Sequence, residues 1–431
     1  MNYIKQILYE LKNQKMITWI SISGTALAIF LIMAIFMGDR MHGVAISPES
    51  NRQRILKGQN IDFRSDGEGS GSGMGIDYDL ATRLYIGLDG IERVSFVAPK
   101  WRRSDVGAPG GKNVSVQGMD VDEEYWKIYD YQFISGKPFE KEEIESGTNI
   151  AVISESVARK IFGETDVAGR RLDIDNEPFT IKGVVKDSFA LLPDGTIDFF
   201  VNFSPHRDYN GFGSSIFGYS NVRLLMQEGV EPRHIKTQVE KRYEDANREL
   251  EKNNEYLVYH QQPYTSDEMS AGTFGSNNDP QLKIKTRLRG LIYVVLLLLP
   301  AINLGSMTRS RLRVRISEIG VRRAFGAKKK NIISQIFIEN LLISLAGGAI
   351  GLGLSLIFIA FLSGYFITFT DQATYTSLAP VNVAPIIWHI FDLSVFFIAF
   401  GACFILNVLS ATLPAWRAAA VEPSVAIAKS R

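Results

Sequence analysis

The sequence predicts a membrane protein that has four transmembrane α-helices and a large mixed α/β extracytoplasmic domain between the first and second spans. The first observation behind this prediction is a set of four apolar stretches, each close to the length of about 20 residues that crosses the hydrocarbon core. The second is a charge asymmetry: residues 38–286 carry 30 basic and 40 acidic side chains, whereas the rest of the chain carries 17 basic and 6 acidic ones. The third is the basic character of the short connecting segments, which indicates how the spans are oriented.

Each predicted span has an uncharged core. A cleaved signal peptide is the alternative for the first span, but its apolar run is longer than a typical signal sequence, and no small-residue cleavage site follows it. We therefore interpret it as a retained anchor. The predicted spans are residues 17–37, 287–308, 334–364 and 393–413.

Lysine and arginine in the short segments predict the topology, because cytoplasmic loops are enriched in these residues. Residues 309–333 carry nine basic side chains and one acidic side chain. The segments predicted to be cytoplasmic are 1–16, 309–333 and 414–431, so both termini lie inside, and the segments predicted outside are 38–286 and 365–392. Residues 1–16 have a helical apolar stripe and form either an interfacial amphipathic helix, which we favour, or a plain cytoplasmic extension.

The third span carries a stripe of small residues at four-residue spacing, Gly347, Gly351 and Ser355, which is typical of closely packed helices in lipid. The alternative is that these residues have no partner helix. Pro300 predicts a kink or hinge in the second span. Glu339 precedes the core of the third span and is expected near the cytoplasmic interface. Because no ionisable residue lies in the span cores, the sequence disfavours a proton-coupled transporter or an ion channel.

The outer segment alternates short apolar runs with turn signals, which predicts a mixed α/β fold. Residues 150–153 are predicted to form a strand, and a helix over 155–162 is expected to begin at an N-cap, Ser154. Three further elements are predicted in this segment. They are a hairpin of residues 171–175 and 179–185, a helix within 231–255, and a flexible loop at the glycine-rich run 67–75.

No residue pattern in the chain predicts catalysis. The single cysteine, Cys403, lies in an apolar run, and the five histidines are scattered rather than spaced as metal ligands. The chain lacks a Gly-rich phosphate loop followed by Lys-Ser/Thr, a G-x-S-x-G turn and an H-E-x-x-H helix. We therefore expect a non-catalytic subunit that holds no metal or cofactor of its own and binds no nucleic acid.

The connector after the second span contains the ordered string Glu318-Ile-Gly320-Val-Arg322-Arg323-Ala-Phe-Gly326-Ala327. Attraction of a basic segment to anionic lipid would explain its charges but not the position of its glycines. The string resembles the E-I-G-[IV]-R-[KR]-A-[LF]-G-A motif of the MacB/FtsX-type permeases of ATP-binding-cassette (ABC) systems. Three other regions resemble the same family: 336–351 in the third span, 413–423 near the C-terminus, and 152–163 with 183–187 in the outer domain.

The resemblance implies that the connector is a coupling segment that docks on a separate ABC ATPase, which binds ATP and Mg. The matching residues in this chain are Glu318, Gly320, Arg322, Arg323, Gly326 and Ala327. It further implies a bacterial inner-membrane complex containing two permeases, which are two copies of this chain or a copy and a paralogue. In that family ATPase closure moves the spans and the motion passes to the outer domain, which is called mechanotransmission. Unlike full MacB, the chain has no fused nucleotide-binding domain.

Three functions are compatible with this resemblance. The first is export of a drug, peptide or similar substrate, together with a periplasmic adaptor and an outer-membrane channel. The second is release of lipoproteins from the membrane. The third is a signalling role like that of FtsX, in which the outer domain controls a cell-wall hydrolase. The size of the outer domain favours the first, because it resembles the MacB-type core more than a small activator domain.

Overall fold

The computed structural model describes residues 15–41, 45–59, 61–65, 69–73, 75–100, 103–188, 197–203, 216–271, 284, 286–298, 321, 325, 328–370 and 390–420. They divide into two compact units. The outer unit comprises Met41–Lys283 and Gly364–Val383, and the helical unit comprises Met1–Arg40, Ile284–Ser363 and Ala384–Arg431.

The outer unit is built on one large mixed sheet, which has 11 strands within the described residues. Its strands are β1 (Ile55–Gly58), β4 (Ile91–Pro99), β5 (Ser104–Gly107), β6 (Val114–Val116), β7 (Gly118–Val121), β8 (Phe133–Gly136), β9 (Ile150–Ser154), β10 (Arg171–Ile174), β11 (Glu177–Val185), β12 (Phe199–Asn202) and β13 (Asn221–Met226). The path through the sheet is β1-β13-β4-β7-β12-β9-β11-β10-β5-β6, with β8 paired to β11. Most neighbouring strands are antiparallel, whereas β9 pairs with β11 and β7 with β12 in parallel.

Short helices cover this sheet, and their apolar faces build three buried clusters with the strands. The longest has Ile235, Val239, Tyr243 and Ala246 buried at helical spacing, which gives it an apolar face despite its high charge. The helices of the outer unit are α2 (Tyr78–Tyr85), α3 (Tyr125–Ile128), α4 (Lys141–Glu145), α5 (Glu155–Phe162), α6 (Pro232–Leu250) and α7 (Ser266–Ala271).

The predicted strand and helix at 150–162 are confirmed as β9 and α5. The side chain of Ser154 accepts a hydrogen bond from the N–H of Val157, as expected of an N-cap. The predicted hairpin is confirmed as β10 and β11, but its turn is formed by Asp175 and Asn176, both with positive φ. The helix predicted within 231–255 ends at Leu250, because the chain then turns through the left-handed residue Asn254 into a strand.

A second sheet, with three strands among the described residues, corrects one prediction. It has the order β14-β2-β3, where β2 is Ile61–Ser65, β3 is Gly69–Gly73 and β14 is Glu255–Val258. The flexible loop predicted at 67–75 was wrong for β3, which pairs antiparallel with β2 along all five residues. Glycine and serine disfavour strands through their side chains, but the ladder is made by backbone groups, which these residues supply like any others.

The helical unit contains α1 (Lys15–Met41), α8 (residues 286–298), α9 (Lys329–Thr370) and α10 (Leu393–Ala420). Within the described residues, 18–37 and 330–358 are long and apolar enough to cross a membrane, and 393–406 is a shorter apolar helix. Helices α9 and α10 are longer than the predicted spans, since α9 runs through 365–370 and α10 through 414–420. The hydrocarbon thickness sets the length of an apolar run but not the end of a helix, and residues 415–420 are rich in helix-forming alanine.

Candidate functional site: the contact between helices α1 and α9

Two glycines of α9 lie directly against the backbone of α1. A β-carbon placed on Gly351 would lie 2.5 Å from the carbonyl oxygen of Ala26, and one on Gly347 would lie 2.8 Å from Cβ of Thr25. Both distances are shorter than van der Waals contact, so neither position accepts a side chain unless the helices separate. The small residues thus allow the two backbones to approach closely, which is how helices pack where lipid surrounds them.

The order of the contacts shows that α1 and α9 run in the same direction. Gly347 faces Ile22 and Thr25, whereas Gly351 faces Ala26 and the residues that follow it up to Phe30. The contact continues in the same direction along both helices to Phe30 and Phe358, whose rings meet edge to face with centroids 5.1 Å apart.

Hydroxyl groups in this contact are satisfied within their own helices. Ser355, the third residue of the stripe, is fully buried, and its hydroxyl donates to the carbonyl oxygen of Leu352 at 2.7 Å. Thr25 is equally buried, and its hydroxyl donates to the carbonyl oxygen of Ser21 at 3.1 Å. The apposed surfaces therefore present methyl groups and backbone rather than unpaired donors.

Helix α10 closes the other side of α9. The ring of Phe400 occupies the space next to Gly348, where a β-carbon would lie 2.9 Å from the ring. Nearer the start of α9, Phe337 and Phe404 meet edge to face at 5.4 Å. By contrast, a β-carbon on Gly353 would have no atom within 4 Å among its surroundings. The need for glycine is therefore specific to the faces of α9 that meet α1 and α10.

Polar residues are buried in the part of α9 that leads up to the glycines. Glu339, Asn340 and Ser344 are at most 5% exposed, and Ser21 of α1 is fully buried. Glu339, Ser344 and Ser21 each take part in a noncovalent contact. Burying a carboxylate costs free energy unless it is hydrogen-bonded or paired. The end of the contact near Glu339 is therefore a polar region with defined interactions.

An ion pair joins the last turn of α1 to the start of α10. The guanidinium of Arg40 lies 3.2 Å from a carboxylate oxygen of Asp392 and 5.3 Å from the ring centroid of Phe36. Asp392 also accepts a hydrogen bond from the N–H of Ser394 at 2.8 Å, as an N-cap does. This hydrogen bond, and then the charge of Arg40, hold the pKa of Asp392 below its ordinary value.

In the outer unit, the chain segments that follow α1 and precede α8 are tied together by what we call the strand clamp, residues 57–62 and 260–264. Lys57 and Tyr264 exchange two backbone hydrogen bonds of 2.9 and 2.8 Å. The imidazole of His260 lies 2.9 Å from the carboxylate of Asp62. Beside these contacts, β14 pairs antiparallel with β2 over four residues. The segments that connect the outer unit to its two flanking helices are therefore one structural element.

Buried charges stabilise the incoming segment of the strand clamp, which is residues 57–62. Lys57 and Glu49 are essentially fully buried, with 3.2 Å between Nζ and Oε1, and the guanidinium of Arg52 lies 3.5 Å from the same carboxylate. Asp130 fixes this segment to the end of α3 by accepting hydrogen bonds from the N–H and hydroxyl of Ser50. Sequence analysis missed the clamp, whose partners Lys57 and Tyr264 lie 207 residues apart, and the tie from Ser50 to Asp130, which spans 80 residues.

The residues predicted to couple to an ATPase lie outside the described residues: Glu318, Gly320, Arg322, Arg323, Gly326 and Ala327. Two residues of the same string are described. The N–H of Phe325 donates to the carbonyl oxygen of Val321 at 3.1 Å, which forms a helical turn, and the Phe325 side chain is 89% exposed. Sequence analysis did not single out Phe325, although a lone aromatic residue within a basic connector was a visible signal.

The described residues contain no group of three or more His, Cys, Asp or Glu side chains arranged to hold a metal ion. What these residues provide is closely packed helices in one unit and a clamped pair of segments in the other.

Two family profiles match the chain. The MacB-like periplasmic core domain matches residues 18–242, which is more than half of the sequence, and the FtsX-like permease C-terminal domain matches residues 290–423. The chain is 25% identical over 268 residues to the uncharacterized ABC transporter permease YknZ of Bacillus subtilis, covering 62% of this chain and 63% of that protein.

It is also similar to macrolide export ATP-binding/permease proteins MacB. The identity is 25% over 338 residues with the protein of Wolinella succinogenes, covering 78% of this chain and 47% of that one. It is 24% over 286 residues with that of Burkholderia cenocepacia, covering 64% and 39%. The chain thus spans less than two thirds of the length of each of these relatives.

Among solved structures, the periplasmic region of MacB from Actinobacillus actinomycetemcomitans aligns with 51% of this chain and 92% of its own length, at 15% identity and a TM-score of 0.35. The extracellular domain of YknZ from Gram-positive bacteria aligns with 46% of this chain and 100% of its own length, at 18% identity and a TM-score of 0.31.

Proposed function

Because the chain belongs to the MacB/FtsX-type family of ABC permeases, we propose that it is a membrane subunit that couples ATP hydrolysis by a separate ATPase to motion of its outer domain. The observation that carries this proposal is the contact between Gly351 and Ala26. It joins the helix that directly follows the connector to the helix that leads into the outer unit. A displacement of one is therefore passed to the other.

The proposed topology has four spans, with both termini and residues 309–333 in the cytoplasm and residues 38–286 in the periplasm. The parallel direction of α1 and α9 supports it. If the chain crosses the membrane once between these helices, both run in the same direction, which agrees with the contact order of Gly347 and Gly351. With the N-terminus in the cytoplasm, that direction is from the inside to the outside. The excess of Lys and Arg in the short segments gives the same orientation, that of a bacterial inner-membrane protein.

Transmission begins at the connector. Helix α9 starts at Lys329, immediately after the coupling residues, so a partner that moves the connector moves the first turns of α9. Because Gly347 and Gly351 hold α9 against α1 without intervening side chains, the two helices shift together rather than slide through a soft layer. The aromatic contacts with α10 keep that helix in the same bundle.

The strand clamp receives the motion in the outer unit. Its incoming segment follows α1 along the chain and its outgoing segment precedes α8, so the two helices act on one paired structure. The buried network of Glu49, Arg52 and Lys57 makes the incoming segment resist local deformation. Force applied to either segment of the clamp therefore displaces the paired strands together as one unit.

The partners that this proposal requires are an ABC ATPase and a second permease. Family members work with ABC ATPases, and here the ATPase would bind ATP and Mg and contact Glu318, Gly320, Arg322, Arg323, Gly326 and Ala327. The second permease is another copy of this chain or a paralogue. For export of a drug, peptide or similar molecule, a periplasmic adaptor and an outer-membrane channel complete the path.

The first experiment is affinity purification of this chain from its native membrane in mild detergent, with mass spectrometry of the co-purifying proteins. An ABC ATPase together with an adaptor is the expected result and supports export. An ATPase with a cell-wall hydrolase would replace export by the signalling function, and an ATPase with a lipoprotein carrier would replace it by lipoprotein release. Absence of any ATPase would overturn the proposed coupling.

Charge reversal at the connector tests the coupling residues. Arg322→Glu with Arg323→Glu should abolish co-purification of the ATPase and leave membrane insertion intact, because it reverses the charge of the proposed contact. The matched control reverses two charges of the C-terminal segment, Lys429→Glu with Arg431→Glu, and should retain the ATPase. Equal retention of the ATPase by both double variants would show that the arginines are not part of the contact.

A further inference from the structure

Both ends of α1 carry an aromatic residue and a cation one helical turn apart. At the start of the helix, Lys15 and Trp19 are both exposed, and their spacing of four residues places them on the same face. At its end, the guanidinium of Arg40 lies 5.3 Å from the ring centroid of Phe36. In both pairs the cation is nearer to the end of the helix and the ring is nearer to its middle.

The spacing of the two pairs matches a lipid bilayer. Trp19 and Phe36 are 17 residues apart, about 26 Å along a helix, whereas Lys15 and Arg40 are 25 residues apart, about 38 Å. The hydrocarbon core of a bilayer, about 30 Å thick, lies between these two lengths. The rings therefore reach the two edges of the core from within and the cations extend past them, which is the arrangement that amphipathic side chains adopt at a membrane boundary.

We propose that the Lys15–Trp19 pair binds phospholipid headgroups of the cytoplasmic leaflet and that the Phe36–Arg40 pair binds those of the outer leaflet. The indole N–H of Trp19 donates a hydrogen bond to ester carbonyl or phosphate oxygens, and the ammonium of Lys15 attracts the phosphates. The inference goes beyond the proposed function, because it gives the depth of the helices in the bilayer. Which pair faces the cytoplasm rests on the proposed topology.

Helix α10 has markers at the same two levels. The ion pair of 3.2 Å between Arg40 and Asp392 places the start of α10 beside the outer end of α1, and the Arg40 side chain is still 46% exposed. At the other end of α10, Trp416 is 62% exposed, nearly as much as Trp19 at 63%. The 24 residues from Asp392 to Trp416 extend about 36 Å along a helix, which reaches from one boundary to the other with a tilt.

The polarity of the contact between α1 and α9 changes near the level of Trp19. Gly347 meets Ile22 and Thr25, and Ile22 follows Trp19 by three residues. Because the two helices run in the same direction, Glu339, eight residues or about 12 Å before Gly347, lies beyond Trp19 on the cytoplasmic side. Glu339 is only 5% exposed. A boundary at Trp19 therefore keeps this buried carboxylate out of the hydrocarbon, where it would be most costly.

A second permease is the other kind of partner that could cover the exposed indoles. An interface between proteins needs an apolar centre, but it sets no particular distance between aromatic residues and no order of rings and cations along a helix. The two pairs of α1 are one bilayer thickness apart and have the cation outermost at both ends. Lipid therefore accounts for observations that a protein partner leaves unexplained.

Depth-dependent fluorescence quenching of the full-length chain tests the placement. The chain is reconstituted into vesicles of phosphatidylethanolamine and phosphatidylglycerol with added phosphatidylcholine that is brominated either near the start or near the end of its acyl chains. The signal of Trp19 is the difference between the unmodified chain and Trp19→Phe, and the bromines near the start of the chains should quench it more. The signal of Trp416, obtained with Trp416→Phe, should show the same preference.

The matched control moves the indole to the middle of α1. Leu27 is 56% exposed and lies midway between Trp19 and Phe36. Leu27→Trp combined with Trp19→Phe should be quenched more by the bromines near the end of the acyl chains. The same depth profile at positions 19 and 27 would overturn the proposal. If neither lipid quenches Trp19, a protein partner covers the indole and the proposal is equally wrong.

Thiol labelling of spheroplasts and of inverted membrane vesicles separates this inference from the proposed function. Arg40→Cys should react with a membrane-impermeant maleimide from the periplasmic face, Leu27→Cys should react from neither face, and the native Cys403 is only 1% exposed. If Arg40→Cys reacts only from the cytoplasmic face, the proposed topology is wrong, while the depth of the pair stands. If it reacts from neither face, the Phe36–Arg40 pair is not at a boundary, and the inference fails without affecting the topology.

Discussion

Gly351 of α9 lies so close to Ala26 of α1 that a β-carbon on the glycine would be 2.5 Å from the alanine carbonyl oxygen. Carbonyl oxygens of a helix cannot move aside as flexible side chains do, because they are fixed in the hydrogen-bond ladder. The absence of a side chain at Gly351 therefore allows the two helices to approach this closely. A substitution of Gly351 is the most direct test of this packing.

Gly351→Ala should destabilise the helical unit by about 1–3 kcal/mol, the usual cost of forcing extra volume into a packed interface. The control is Gly353→Ala in the same helix, where the new methyl group meets no atom within 4 Å. It should be neutral or stabilising by up to about 1 kcal/mol, since alanine favours helix over glycine. Thermal unfolding of the purified chain in detergent measures both, and equal effects would show that α9 does not pack on α1 here.

Gly351→Leu is the functional form of the same test. The larger side chain should push α9 away from α1 and reduce the stimulation of the partner ATPase, while Gly353→Leu should preserve it. ATPase rates of the two reconstituted complexes provide the comparison. Normal assembly and stimulation with Gly351→Leu would indicate that the small-residue stripe faces lipid.

Removal of Glu49 should destabilise the outer unit strongly. Lys57 is fully buried beside this carboxylate, and breaking a buried pair by deleting one partner typically costs about 3–5 kcal/mol. Glu228→Ala is the control, because Glu228 is largely exposed and lies 3.8 Å from the guanidinium of Arg54. Its loss should cost less than about 1 kcal/mol. Denaturant titration followed by tryptophan fluorescence compares the two free energies of unfolding, and similar values would contradict the buried network.

Asp122 should make the outer unit less stable as the pH rises. Burial raises the pKa of its carboxyl to about 7, although the carboxylate accepts hydrogen bonds from Ser95 Oγ and from the N–H groups of Phe96 and Tyr125. Because the folded pKa lies above the unfolded value of about 3.9, its contribution is fully present below pH 4 and is lost as the pH rises through 7.

Asp122→Asn removes the ionisation and should flatten the fall of the melting temperature between about pH 4 and 7. An unchanged slope with Asp122→Asn would assign the pH dependence to other groups.

A disulfide between β2 and β14, beside the strand clamp, should be tolerated during turnover. Arg64 and Tyr256 are direct partners in the β2–β14 register, and side chains opposite each other in antiparallel strands have Cβ atoms about 4.5–5.5 Å apart. Arg64→Cys with Tyr256→Cys should therefore cross-link on oxidation and leave ATPase stimulation intact, because β2 and β14 move together with the clamp. A loss of stimulation that a reductant reverses would show instead that the two strands separate in the cycle.

Several features were visible in the sequence because they depend on local chemistry. The apolar runs 17–37 and 334–364 predicted long apolar helices, and the structure has them at 18–37 and 330–358. Ser154 predicted the start of α5, since a side-chain oxygen there satisfies an N–H within three residues. The family was recognisable from short ordered strings of residues.

Other features could not be predicted, because they depend on which distant segments meet. The run Gly69–Gly73 forms a strand only because β2 offers it backbone groups, and the clamp joins Asp62 to His260 across 198 residues. No local propensity encodes such pairings, which tertiary context decides.

The sequence by itself determined the class of the protein, since a lipid environment demands apolar runs of a characteristic length. It also showed that Gly347 and Gly351 could allow a close approach. Only the tertiary structure decided that the approach is to Ile22–Phe30 of α1, and that Gly353 faces open space. The physical reason is that a glycine in the sequence shows only that a side chain is missing at that position. Which backbone then packs against it depends on the packing of the whole helix bundle.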